Sequence, residues 1–155
     1  MGGSPGVVWA DGTFMLGQAG GFSKKQALFN AATLTWTAVG TGKADFFAEE
    51  GFCLLPNGNV LTVDCANGTN SESYNPTTGA WTTAGSTIVK LPDAGSLEIG
   101  PPIQRPDGTG AAFRGSPHPA HYYTAPGTWT VRPEYPRGHL QADAPDSLIY
   151  SGWVH

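Results

Sequence analysis

The sequence predicts an all-β chain built from three copies of one four-stranded antiparallel unit. Three observations predict it. A hairpin glycine recurs at Gly12, Gly58 and Gly108, in steps of 46 and 50 residues. An outer-strand tryptophan recurs at Trp36, Trp81 and Trp129, in steps of 45 and 48. An aromatic residue precedes the second turn each time, at Phe29, Tyr74 and Tyr123. Four strands repeated every 40–50 residues is the spacing of β-propeller blades.

The middle unit, about 52–85, is the clearest. Phe52–Leu55 and Val60–Val63 flank Pro56-Asn57-Gly58, and Asn-Gly supplies the positive φ angles of a tight type I′ hairpin. Asn75-Pro76-Thr77-Thr78-Gly79 is a second turn, in which Pro presets φ and Gly takes a left-handed position. Ala80-Trp81-Thr82-Thr83 is the outer strand. The first unit, about 6–40, turns at Asp11-Gly12. Its second strand, Thr13–Leu16, is nearly all apolar, as expected of a sheet packed on both faces. The third unit, about 101–132, has a sparser inner hairpin with Thr109-Gly110-Ala111-Ala112-Phe113, and a second turn one residue shorter between Tyr123 and Trp129. Residues 146–155 read as an incomplete fourth hairpin, with Ser151-Gly152 where Asn57-Gly58 stood.

Tyr74-Asn75-Pro76 with Trp81, Phe29-Asn30 with Trp36, and Gly20-Gly21 after a second strand resemble the kelch repeat of galactose-oxidase central domains. The resemblance implies a propeller and says nothing of activity, because such folds host unrelated functions. It also invites copper, for which His118, His121, His139, Tyr122 and Tyr123 are the available ligands. None of them lies in a motif that carries a family ligand, so no metal centre or catalytic residue is expected there.

Three blades form an arc, and closed propellers usually need four to eight. The two end faces need partners. The expected solution is a homodimer, two arcs closing into a six- or seven-bladed ring, with Leu148, Ile149, Tyr150, Trp153 and Val154 of the last hairpin at the closure.

Composition narrows the function. The 155 residues carry net charge −4 with 13% charged side chains, which excludes a nucleic-acid surface. The 22 Gly and 13 Pro fit many short strands, while 39% apolar residues and five Trp exclude disorder. No apolar run is long enough to span a membrane, and no secretory signal precedes the first strand. Cys53 should face Thr62, leaving Cys65 three positions beyond it. Two buried thiols outside any disulfide are therefore expected, favouring a reducing compartment such as the cytoplasm.

No Walker loop or His-Glu-x-x-His motif is present. Eight of the twelve acidic residues fall in the stretches between units. Asp45, Glu49, Glu50, Asp93 and Asp143 are the ligand-binding candidates. They would line an acidic end of the channel suited to Ca²⁺ or to a small-molecule, glycan or protein ligand. The expected function is binding or scaffolding. The alternatives are a carbohydrate-active or hydrolytic enzyme using paired acids, and a truncated propeller gene product with no separate activity.

Overall fold

A computed structural model describes residues 3–18, 20–47, 49–100, 102–112, 120–123, 127–131 and 133. Twelve strands form three four-stranded antiparallel sheets, each in simple sequence order. The first sheet holds β1 (Gly6–Val8), β2 (Phe14–Gly17), β3 (Gln26–Asn30) and β4 (Thr35–Val39). The second holds β5 (Cys53–Leu54), β6 (Val60–Val63), β7 (Asn70–Asn75) and β8 (Ala80–Ser86). The third holds β9 (Ile103–Gln104), β10 (Gly110–Ala112), β11 (Ala120–Tyr123) and β12 (Thr128–Val131). The described residues contain no helix, so none that could cross a membrane.

The three inner hairpins are built alike, and not as two-residue loops. The Leu55 N–H donates to Asn59 O at 2.8 Å and the Gly58 N–H to Leu55 O at 2.9 Å, closing a three-residue loop over residues 56–58. Trp9 with Thr13 and Arg105 with Thr109 repeat the pattern. The third loop residue is Gly12, Gly58 or Gly108, at φ 83°, 83° and 80°, where a side chain would be strained. The side chain before each glycine (Asp11, Asn57, Asp107) accepts the N–H of the residue after it. The longer loop moves the register by one residue from the sequence expectation. Cys53 stands opposite Leu61, not Thr62. Both thiols are buried and outside any disulfide, as expected. Burial pushes the Cys53 thiol up to about 12 and Cys65 up as well, which leaves both unreactive.

The outer hairpins carry the aromatic pairs. Phe29 faces Trp36, Tyr74 faces Trp81 and Tyr122 faces Trp129. Tyr122, not Tyr123, is therefore the aromatic of the third repeat, and the spacing to Trp is seven residues each time. The third turn is not shortened. The register places Tyr122 opposite the tryptophan, and a strand's alternation allows only one of two adjacent residues that position.

Two apolar cores hold the sheets together. One, between the first and second sheets, contains Met15, Phe47, Phe52, Val60, Tyr74 and Trp81, with Val7 and Leu28 beside it. The other, between the second and third, contains Leu55, Leu61, Val63, Leu91, Ala120, Tyr122 and Trp129, with Cys53 and Ala84. Innermost strands adjoin innermost strands, β1 to β5 and β5 to β9, and outer β8 adjoins outer β12. Each seam is fastened by the outer-strand indole of the following sheet. Trp81 Nε1 donates to Gln26 Oε1 on the first sheet at 2.6 Å, and Trp129 Nε1 donates to Ser71 Oγ on the second at 2.9 Å. Gln26 and Ser71 each stand three residues before their sheet's aromatic, so the two seams use the same registration.

The segments between sheets complete the packing. Residues 40–52 run along β8, with the Trp81 N–H donating to Thr41 O at 2.8 Å, and then bury Phe47 against Phe52 and Trp81. The backbone of Gly17 lies so close that a Cβ there would sit 2.8 Å from the Phe47 ring. Residues 87–100 bury Leu91 in the second seam, anchored by the Thr87 N–H on Thr69 O.

Candidate functional site

Two features stand apart from ordinary packing: a buried charge cluster in the first seam, and an apolar sheet face with no described residue over it.

The cluster forms where residues 40–52 cross the second sheet. Thr62 on β6 and Glu72 on β7 are cross-strand partners, and Asp64 follows β6 by one residue. They face the seam because they share the pleat of Val60, Tyr74 and Trp81. The crossing segment contributes Lys43, Asp45 and Glu50. The Lys43 ammonium bonds Glu50 Oε1 at 2.9 Å, contacts Glu72 Oε2, and lies 3.7 Å from Asp64 Oδ1. These four side chains are at most 2% exposed. The same ammonium lies 5.2 Å from the Phe47 ring centroid and 5.4 Å from that of Trp81.

Backbone donors satisfy most of the remaining oxygens. Glu72 accepts from the N–H groups of Ala44 and Asp45. Asp45 accepts from those of Ala66, at 2.7 Å, and Phe46. Asn67 and Asn70 both donate to Asp64 Oδ2, while Oδ1 is a buried oxygen with no hydrogen bond.

Three carboxyls, those of Glu50, Asp64 and Glu72, share one ammonium, and burial makes that excess of negative charge expensive. Burial raises Glu50 to about 8 against the opposing pull of Lys43. Burial also raises Asp64, with Asn70 opposing. Lys43 is raised: Glu50 and Glu72 outweigh the burial that would lower it. The geometry around Thr62 agrees with a proton on Glu50. The Thr62 hydroxyl has one proton and two acceptors in reach, Gly51 O at 2.9 Å and Glu50 Oε2 at 3.0 Å. Both contacts are satisfied when Glu50 donates to Thr62 and Thr62 donates to Gly51.

Asp45, Glu50 and Asp64 are also the residues that could hold a metal, each offering an oxygen within 4.8 Å of the others. Lys43 already stands against two of them and is the cation the cluster contains.

Two of the sequence candidates, Asp45 and Glu50, thus meet in one buried cluster. Glu49 is half-buried beside them, at φ 64°. Asp93 is not part of it. Its carboxylate accepts the N–H groups of Gly95 and Ser96, and those bonds hold its pKa below the usual value. Asp143 and the closure residues Leu148, Ile149, Tyr150, Trp153 and Val154 lie outside the described residues. Sequence reasoning missed Lys43, Thr62, Asp64 and Glu72. The available signal was Glu72, a charge two residues from the core tyrosine and so on its face.

The bare face belongs to the first sheet. Val8, Phe14, Phe29 and Trp36 form one cross-strand row, and Leu16, Ala27 and Ala38 form the next. Every side chain in both rows is apolar. Trp36 is 52% exposed, against 4% for Trp81 and 5% for Trp129 at the same register. No described residue takes the Trp36 indole as Gln26 takes that of Trp81. A cavity of about 450 Å³ opens on this face, lined by Leu16, Ala27, Trp36 and Ala38, with Ser4, Gln18 and Lys25 at its rim.

These features define an all-β protein of stacked four-stranded antiparallel sheets. No protein-family description matches the chain, and no curated protein matches it. Among solved structures it is similar to a novel fungal alcohol oxidase of the AA5 family, in complex with copper. The TM-score is 0.59 at 15% identity, over 83% of this chain and 32% of the oxidase. The chain therefore spans about a third of that protein. At this identity the likeness is one of fold alone.

Proposed function

We propose that the chain is a three-blade arc of a kelch-like propeller, that it acts by binding or scaffolding, and that a second copy covers its ends. The observation that carries this reading is the row Val8, Phe14, Phe29 and Trp36. It repeats the row that seals each seam, yet no described residue covers it. Contiguous apolar faces of this kind mark interaction surfaces. The likeness to about a third of a larger protein supports an arc that is completed by further sheets. The hydrolytic alternative asks for paired carboxylates facing a substrate, whereas Asp45 and Glu50 are buried in the first seam and Asp93 is committed to a turn.

Light scattering after size exclusion tests the reading. The chain, of 16.2 kDa, should elute with the mass of two copies, and Trp36→Glu should convert it to one. A folded wild-type monomer at every accessible concentration would overturn self-association.

A further inference from the structure

The apolar face of the first sheet is complementary to itself. One row across β2, β3 and β4 is large: Phe14, Phe29 and Trp36, with the Trp36 ring centroid 6.1 Å from that of Phe14 and 5.0 Å from that of Phe29. The next row on the same face is smaller on every one of these strands: Leu16, Ala27 and Ala38. The Phe14 ring leans towards β1, where a Cβ at Gly6 would sit 2.9 Å from it. The low ground is therefore over β3 and β4, and there the cavity of about 450 Å³ opens between Leu16, Ala27, Trp36 and Ala38.

The charges are divided in the same way. Between positions 3 and 40 the charged residues are Asp11, Lys24 and Lys25. Asp11 stands in the β1–β2 hairpin, beyond the large row, and both lysines precede β3, beyond the small row. The Lys24 ammonium is turned to Ala44 O, whereas Lys25 is exposed at the rim of the cavity.

Resting on the two-copy reading above, we infer that two copies pair through their first sheets, face to face, about a two-fold axis that runs across the strands between the large and small rows. This axis reverses the strands and keeps their order. It lays Phe14 of each copy over Leu16 of the other, Phe29 over Ala27 and Trp36 over Ala38, so that each indole enters the other copy's cavity. It also brings Asp11 of each copy to the lysine end of the other. The strands then cross within about 30°, as in aligned sheet packing. Head-to-tail closure asks for something different. At the two seams the tryptophan indole has a side-chain acceptor three residues before the facing sheet's aromatic, Gln26 or Ser71. Three residues before Tyr122 stands Pro119, which has no side-chain acceptor. Face to face, the Trp36 N–H stays on β4, an edge strand that water reaches.

Asp11→Cys and Lys25→Cys, purified separately, mixed and treated with a short bis-maleimide, test the pairing. A two-chain band should form in the mixture, and neither variant should form it alone. Cys53 and Cys65, buried in each chain, keep the background low. Exchange of the large and small positions gives a second test. Ala38 is exposed, so Ala38→Trp should leave the melting temperature of the monomer unchanged, while filling the cavity should weaken dimerisation at least tenfold. Adding Trp36→Ala to Ala38→Trp should restore the dimer, because the axis sets the two positions against each other. A wild-type dimer whose mixture gives no band, or whose double variant stays dissociated, overturns the face-to-face pairing and leaves self-association intact. A wild-type monomer at every accessible concentration overturns both.

Discussion

The first and second sheets present the same face, one bare and one covered. On the second sheet the row Val60, Tyr74, Trp81 lies under the first sheet and under Phe47, and the row beside it holds Thr62 and Glu72 against Lys43. On the first sheet the matching rows are Phe14, Phe29, Trp36 and Leu16, Ala27, Ala38, with no described residue above them. The strands, turns and aromatic pairs are alike, so these elements do not decide whether a sheet is buried. Burial is decided by what arrives from the neighbouring segment, and the composition of the second row records it: charged where a lysine arrives, apolar where Leu91 arrives over Ala120. The first sheet's second row is of the apolar kind.

The tryptophans should separate the two faces most strongly. Trp81→Ala removes a buried ring and its bond to Gln26, and should cost about 3–5 kcal/mol of unfolding free energy in a urea titration. Trp36→Ala, measured at concentrations where the chain is monomeric, should cost less than about 1 kcal/mol, because the ring is half solvated already. At higher concentration the order of interest reverses, and Trp36→Ala should weaken the dimer. Equal losses from both variants in the monomer would mean that the first sheet's face is covered within one chain.

The charged row should give the next largest effect. Lys43→Met leaves Glu50, Glu72 and Asp64 buried without their cation and should cost about 3–5 kcal/mol. Adding Glu72→Ala reproduces the alanine found at Ala120, and the double variant should recover part of the loss. A double variant less stable than Lys43→Met would show that Glu72 holds the crossing segment through Ala44 and Asp45 more than through Lys43.

The same row makes the covered face sensitive to pH. Glu50 is raised from 4.5 to about 8, so between those values the folded chain holds a proton that the unfolded chain has released. Stability from this group is complete below about 4.5 and is lost as pH rises towards 8. Asp64, also raised, acts in the same direction. Lys43, raised from 10.5, loses its contribution only in the alkaline range above that. The melting temperature should therefore fall from pH 5 to pH 8, and Glu50→Gln, which keeps a neutral side chain there, should flatten the slope. An unchanged slope in that variant would place the titration elsewhere.

The repeat was legible in the sequence because turn chemistry is local. Gly12, Gly58 and Gly108 must take positive φ whichever hairpin loop they close, so the units were found, but the same requirement fits two-residue and three-residue loops. That ambiguity is the whole of the Cys53 register error. Tyr122 and Tyr123 differ only in pleat, which no local pattern settles. The site was half legible for a different reason. Asp45 and Glu50 stood out as acids between units, yet their partners Glu72 and Asp64 lie far along the chain and meet them only when sheets stack. Asp93 looked the same in sequence, but the Gly95 and Ser96 that follow it turned its carboxylate back on its own loop.

The smallest expected effect lies in the outer turns of the two sheets. Gly79 and Gly127 stand two residues before Trp81 and Trp129, at φ 70° and 64°. On the first sheet this place is held by Leu34, at φ 55°. A left-handed non-glycine residue costs roughly 1–2 kcal/mol. Leu34 is largely exposed, so little burial offsets that strain. Leu34→Gly should therefore stabilise the chain, by about 0.5–1 kcal/mol once the greater freedom of glycine in the unfolded state is counted. Gly79→Leu should do the reverse on the covered face and lose about 1–2 kcal/mol. If Leu34→Gly instead weakens the dimer while stabilising the monomer, the strain at this turn serves to hold a leucine at the edge of the bare face, and the contact between copies extends from Trp36 to the turn.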